Sequence, residues 1–245
     1  MKCVLLAAGY ATRLYPLTRD LPKGLLEVGG RTILDRIFDK IEKVEEIDEI
    51  VLVTNARFYG RFQEFLARRA SPKKTRCLND GTTDNENRLG ALADLRLAVT
   101  ELGIDGDLMV LAADNLFEFD LSDFVAFFRR MGTDCITTHV LPDVDELRRT
   151  GVIELSDDGR VLSFEEKPAE PKSQFAVPPF YLYTRATLPL IGEYLASGEN
   201  PDAPGHFIPW LIGRKPVYAY LFTGLRYDIG DLASYREAQR IFEGR

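Results

Sequence analysis

The 245-residue chain has only three cysteines, two histidines and one tryptophan. Cys3, Cys77 and Cys135 are odd in number, far apart and set in apolar stretches, which argues against a disulfide framework or a zinc cluster. They read as reduced core thiols. No apolar run approaches the roughly 18 residues that span a bilayer, and the first residues enter a strand pattern without the layout of a signal peptide. The expectation is a cytoplasmic chain with no membrane segment. A basic block is missing too: the formal net charge is −7, so general nucleic-acid binding, which leans on neutralising backbone phosphates, is not expected. Any phosphate-bearing ligand must then be held by a few local groups. There is no linker, no Gly-x-x-x-x-Gly-Lys-Ser/Thr run and no Gly-x-Gly-x-x-Gly.

An apolar fraction of 45% and a charged fraction of 28% lie near globular averages, and the length suits one large α/β domain, residues 1–245. The run Cys3–Ala8 stops at Gly9 and reads as a strand buried on both faces. Thr32, with Asp35 three positions on, predicts a capped helix whose inner face is Ile33, Leu34, Ile37, Phe38 and Ile41. Strands are then predicted over 50–54, 76–78 and 108–112, alternating with helices over 58–69, 89–99 and 121–128. That alternation means βαβ units and a doubly wound, mostly parallel, Rossmann-like sheet, with ligands at the carboxyl ends of the strands. From Gly151 the texture changes to a hairpin, 152–155 and 161–164 around Asp157-Asp158-Gly159. Strands over 176–183 and 217–222 and helices over 188–195, 207–212 and 232–242 follow. The nucleotide half is placed at about 1–130 and an acceptor half at about 131–245.

The segment Leu6-Ala7-Ala8-Gly9-Tyr10-Ala11-Thr12-Arg13, followed by Pro22-Lys23, carries the strongest chemical signal. A small-residue turn after a strand lets backbone N–H groups approach phosphate oxygens, and cations at Arg13 and Lys23 complete a triphosphate cradle. Tight turns need glycine in any case, so the turn alone decides nothing.

Gly9 to Arg13 with Pro22-Lys23 resembles the signature of the sugar-phosphate nucleotidyltransferase family, which includes glucose-1-phosphate thymidylyltransferases and mannose-1-phosphate guanylyltransferases. The family pattern is Gly-x-Gly-Thr/Ser-Arg, then Pro-Lys. Here the second glycine is Ala11, which adds one methyl where backbone and phosphate come closest. Three later segments are similar to family motifs in the same order: Ala113-Asp114-Asn115, Gly151-Val152-Ile153-Glu154 with Glu165-Glu166-Lys167-Pro168, and Tyr227-Asp228-Ile229-Gly230. The resemblance implies a nucleotide-diphospho-sugar transferase fold and transfer of a nucleoside monophosphate from a nucleoside triphosphate to a sugar 1-phosphate, with release of pyrophosphate. It implies Arg13 and Lys23 as catalytic cations, Ala8, Gly9, Tyr10, Ala11 and Thr12 around the phosphates, and Asp114 and Asp228 as Mg²⁺ ligands. Glu154, Glu166 and Lys167 would meet the acceptor.

Residue chemistry agrees with that assignment. Mg²⁺ takes hard oxygen ligands, commonly one or two carboxylates plus substrate phosphates. Phosphoryl-type transfer needs positioning and charge neutralisation more than covalent work, which suits two cations and a metal. Pro168 predicts an extended backbone at Lys167. Asp231, not Asp228, is placed to cap the last helix. The polar stretch Asn79–Leu92 corresponds to the family's base and ribose reader, with Asn85, Asn87 and Gly90 as contacts. It lacks the glutamine-containing thymidylyltransferase pattern, and its asparagines are reminiscent of phosphocholine-type cytidylyltransferases. The base therefore stays open among the common triphosphates. Two rival readings remain: a CTP-dependent cytidylyltransferase for a non-sugar alcohol phosphate, and a non-catalytic nucleotide-sensing paralogue. His139 reads as a packing histidine, His206 as a residue near the acceptor, and Trp210 as helix-face core.

Overall fold

Residues 1–243 are described by a computed structural model. In chain order come β1 (Lys2–Leu6), β2 (Glu27–Val28), β3 (Arg31–Thr32), α1 (Ile33–Glu42), β4 (Glu49–Thr54), α2 (Tyr59–Arg69) and β5 (Lys74–Asn79). They are followed by α3 (Ala91–Glu101), β6 (Leu108–Ala112), β7 (Asn115–Phe117), α4 (Leu121–Met131), β8 (Asp134–Val140), α5 (Val144–Leu147), β9 (Gly151–Leu155) and β10 (Val161–Glu166). The chain continues with β11 (Phe175–Val177), β12 (Phe180–Tyr183), α6 (Leu188–Ala196), α7 (Phe207–Ile212), β13 (Val217–Leu221), β14 (Arg226–Asp228) and α8 (Leu232–Phe242). Two compact units share these elements: one takes Met1–Leu89, Ala112–Leu121 and the chain from Gly224, the other Gly90–Leu111 and Ser122–Thr223. No helix among the described residues is long and apolar enough to cross a membrane.

In the first unit β1, β4 and β5 pair in parallel, as the alternating pattern predicts. Every residue of β4 is buried, which is why it reads as a continuous apolar run instead of an alternating one. The helix α1 starts at the predicted cap: Asp35 N–H donates to Thr32 Oγ1 at 3.0 Å, and Ile33, Leu34, Ile37, Phe38 and Ile41 are its buried face. Arg69 at the end of α2 holds that helix to α1, donating to Asp35 (3.1 Å), Asp39 (2.6 Å) and Glu42 (2.7 Å). Two short ribbons complete the unit, β2 with β3 and β7 with β14. The capping box of α8, Asp231 with Ser234, stands where the sequence put it.

The second unit is mixed. The predicted hairpin is present as β9 with β10, and β13 runs parallel to β8, while β11 and β12 pair antiparallel to their neighbours. The single strand expected over 176–183 is in fact two, β11 and β12. Pro178 and Pro179 cause the break, because proline cannot donate to a ladder and the chain must change partners there. Asp134, fully buried, is held by Thr184 N–H at 2.7 Å, Thr187 Oγ1 at 2.6 Å and Lys215 Nζ at 3.0 Å. His139 stacks on Phe222 at 5.1 Å, a packing role as expected. Trp210 is half-buried and not core, with Arg214 lying 3.3 Å over its ring. The cysteines are free, Cys3 and Cys135 buried and Cys77 partly so.

One buried carboxylate with three cations ties the parallel strands together. Strand register puts Glu49 between Lys2 and Lys74, and its 4% exposed side chain also accepts from Arg76 Nε at 2.5 Å. Burial pushes the Glu49 carboxyl up, but Lys2 and Arg76 outweigh it and bring the pKa from 4.5 down to about 2. A folded pKa below the unfolded one means stabilisation that is full above about 4.5 and lost as pH falls toward about 2. Glu49→Gln is expected to cost roughly 3 kcal/mol at pH 7 by denaturant unfolding, with the gap to the parent closing between those two pH values.

Candidate active site

The turn after β1 is built by polar groups that the sequence pattern does not single out. Asn55, fully buried just past β4, donates its amide N–H to Ala8 O at 2.8 Å and accepts from Phe58 N–H at 3.1 Å. Thr18, also fully buried, donates its hydroxyl to Ala11 O at 2.8 Å. Between these anchors Gly9 is exposed, and a Cβ built on it would meet nothing within 4 Å. Its backbone faces open space, as a phosphate cradle requires. Ala11 has φ +47° and ψ +43°, so the chain forces an alanine into the left-handed conformation that glycine would adopt without strain. Tyr10 points the other way: its side chain is buried and its hydroxyl lies 3.1 Å from Thr82 Oγ1. Only its backbone is left for a ligand. Thr12 and Arg13 are exposed, and the Arg13 guanidinium makes no hydrogen bond or ion pair among the described residues.

Lys23 opens a single 3₁₀ turn, Lys23–Leu25, and Gly24 explains its position. A Cβ there would stand 3.1 Å from Leu34 Cγ and 3.2 Å from Ala113 O, so the turn seats directly against the residue before Asp114. Lys23 Nζ consequently lies 2.8 Å from Asp114 Oδ2 and 3.7 Å from Asp228 Oδ1. The ribbon of β7 and β14 sets Asp228 opposite Asn115, beside Asp114 in the chain. Burial pushes the Asp114 carboxyl up, yet the Lys23 ammonium, with Asn115 and Arg226, holds it below the usual carboxylate range. Two carboxylates from distant segments thus converge on one cationic centre, and both are partly open, at 37% and 51% exposure. Among the described residues no three Asp, Glu, His or Cys side chains form a ready-made cage. Two hard oxygen ligands plus substrate phosphates is the set Mg²⁺ uses, so the residues fit that ion.

The asparagine-rich loop is partly self-contained. The Asn87 side chain accepts from Thr83 and Asp84 N–H at 3.2 and 3.3 Å and donates to both side chains, which commits it to shaping the loop. Asn85 is exposed. In the second unit Gly90 has φ +94°, and a Cβ there would meet Pro201 O at 2.7 Å. The next two N–H groups, of Ala91 and Leu92, donate to Asp202 O and Pro201 O. What approaches Gly90 is therefore the protein's own backbone.

The residues expected to meet an acceptor also lie in the second unit. Lys167 departs from the extended backbone expected before Pro168: its φ is +50°, and its N–H donates to Thr150 O at 3.0 Å. That hydrogen bond at the end of the hairpin overrides the proline's local preference, and the side chain stands 62% exposed, 3.6 Å from Glu166. Glu166 is 20% exposed and packs against Gly205, where a Cβ would come within 2.5 Å of its Oε2. Glu154 accepts the Ser163 hydroxyl at 2.7 Å across the hairpin, a cross-strand pair on an exposed face. His206 lies with its Nε2 3.3 Å from the Asn200 amide.

Strain at Ala11 is testable. Ala11→Gly removes the cost of a left-handed alanine and is expected to raise stability by about 0.5–1 kcal/mol in denaturant unfolding. An unchanged or lowered midpoint shows that the turn is relaxed as it stands.

Comparison with known proteins identifies the family. Residues 2–244 match the model of the family described as nucleotidyl transferase. A UTP–glucose-1-phosphate uridylyltransferase, AglF, of Haloferax volcanii is 31% identical over 98% of this chain and 96% of its own length. A glucose-1-phosphate thymidylyltransferase of Streptomyces griseus is 28% identical over 98% of this chain and 66% of that longer protein. The solved structure of a UDP-glucose pyrophosphorylase complexed with UDP-glucose superposes with a TM-score of 0.81 at 20% identity, covering 98% of this chain and 97% of that one. At that identity it shows a shared nucleotide-diphospho-sugar transferase fold. With the family model spanning nearly every residue and a relative of matching length, the chain belongs to the nucleotidyl transferase family, among its sugar-1-phosphate nucleotidyltransferases.

Proposed function

We propose that the two units act as one nucleotidyltransferase domain in which the phosphate oxygen of a sugar 1-phosphate attacks the α-phosphorus of a nucleoside triphosphate in line. The P–O bond to pyrophosphate breaks as the new one forms, and the product is a nucleotide sugar. The observation that carries this reading is the convergence of Lys23, Asp114 and Asp228 in the same unit as the open Gly9 turn and an unpaired Arg13. The Gly9 backbone and the Arg13 fork bind the triphosphate, with Arg13 suited to two parallel hydrogen bonds. Lys23 stabilises charge that builds on the phosphates during transfer. Asp114 and Asp228 hold Mg²⁺, which supplies Lewis-acid neutralisation of the phosphate oxygens when bound. Lys167 meets the acceptor phosphate and Glu166 accepts hydrogen bonds from sugar hydroxyls. Retention of both cations and both aspartates favours catalysis over a nucleotide sensor.

The names of similar proteins put UTP, dTTP and ATP first among nucleotides to test and glucose 1-phosphate first among acceptors. A panel crossing UTP, dTTP, CTP, GTP and ATP with sugar 1-phosphates and phosphocholine, read by pyrophosphate release, tests the reading. Turnover with phosphocholine alone would hand the function to the cytidylyltransferase rival. Asp114→Asn is expected to lower kcat by at least about a hundredfold with an unchanged circular dichroism spectrum, and EDTA to abolish turnover. Full activity in EDTA rules out the metal role.

Lys167→Ala gives the acceptor side its own test. The expected result is a raised acceptor KM or lowered kcat with nucleotide binding to the free enzyme unchanged. Equal loss of nucleotide affinity would remove Lys167 from the acceptor's contacts.

A further inference from the structure

The two carboxylates have a second set of partners. Arg226 precedes Asp228 by two residues on β14, and alternate strand residues share a face. Its Nε donates to Asn115 Oδ1 at 2.8 Å, and its terminal nitrogen lies 3.6 Å from Asp228 Oδ2. Asn115 in turn donates its amide N–H to Asp114 Oδ1 at 2.7 Å. Each carboxylate therefore turns one oxygen to Lys23 and the other to Arg226, directly or through Asn115. The circuit is closed. Both cations are shielded, at 13% and 12% exposure, while both carboxylates remain open to solvent.

This balance decides what the site can attract. Two carboxylates alone would draw a free divalent cation by charge, and fixed cations within about 4 Å of their oxygens offset that attraction. A metal that arrives with a triphosphate is a net anion, brings its own oxygen ligands and gains from Lys23 and Arg13. We propose that Arg226 makes the site select the divalent cation as its triphosphate complex over the free ion, with Asn115 keeping the outer carboxylate oxygens aligned. The inference rests on Asp114 and Asp228 being the metal ligands. Arg226 is a positioning residue, acting through the carboxylates and not on the reacting atoms.

Mn²⁺ binding followed by electron paramagnetic resonance on the full chain tests this, with the ion alone and with inorganic tripolyphosphate, which removes dependence on the base. The parent should bind Mn²⁺ with tripolyphosphate at least about tenfold more tightly than Mn²⁺ alone. Arg226→Gln, which keeps a donor for Asn115 but loses the charge, should raise free Mn²⁺ affinity about tenfold, and Arg226→Met should do the same. Arg226→Lys should leave it at the parental level. Neutral variants that bind free Mn²⁺ no better than the parent overturn the proposal, and so does a lysine variant that binds as tightly as they do. Asp114→Asn separates the two readings. If it takes Mn²⁺ with tripolyphosphate as well as the parent does, the metal assignment itself fails. If it loses that binding while Arg226→Gln leaves free-ion affinity unchanged, only the charge-balance inference falls.

Discussion

The site of the first unit depends on one ammonium group placed between two carboxylates. Lys23, 2.8 Å from Asp114 and 3.7 Å from Asp228, fixes where negative charge is concentrated and keeps it there by being largely shielded from water. Its own position is steric in origin: Gly24 lets the turn seat against Ala113, so the lysine cannot drift without opening that contact. Asp228 is placed by backbone pairing of β14 with β7, and Asn115 and Arg226 close the arrangement from the other side. Charged groups so arranged need little reorganisation when phosphates bind, which is the main source of catalysis in transfers of this kind.

Two residues of the proposed substrate contacts carry backbone strain. Ala11 and Lys167 are both non-glycine residues at positive φ, and both lie in segments assigned to substrate phosphates. Each is over-determined by its surroundings: Thr18 and Leu14 bind the Ala11 carbonyl, and the Thr150 carbonyl binds the Lys167 N–H. Strain of this sort persists only where neighbouring hydrogen bonds enforce it. At Ala11 the small side chain limits the cost; at Lys167 the conformation sends a long cationic side chain into solvent.

Glycines divide the same way. Gly9 is open, where a ligand's approach is proposed, whereas at Gly90 the Pro201 backbone comes too close for a Cβ, and Gly24 and Gly205 leave one little room. Sequence shows a glycine in either case and cannot separate an approach by ligand from an approach by the protein. Gly90 illustrates the difference, since the backbone that crowds it is that of Pro201 and Asp202.

By itself the sequence determined the elements whose causes are local. The buried runs of β1, β4 and β6, the capped start and inner face of α1, the hairpin of β9 and β10 and the cap of α8 all follow from spacing, capping chemistry and turn residues within a few positions. It also placed Arg13, Lys23, Asp114 and Asp228 in one functional reading, through motif order. Tertiary structure decided what depends on residues far apart in the chain: the return of residues after 224 to the first unit, the splitting of 176–183 at a proline pair, and the ribbon that sets Asp228 beside Asp114. Asn55, Asn115 and Arg226 belong to the same class. Their side chains act across dozens of residues, and no periodicity within a strand or helix encodes a hydrogen bond made to another strand.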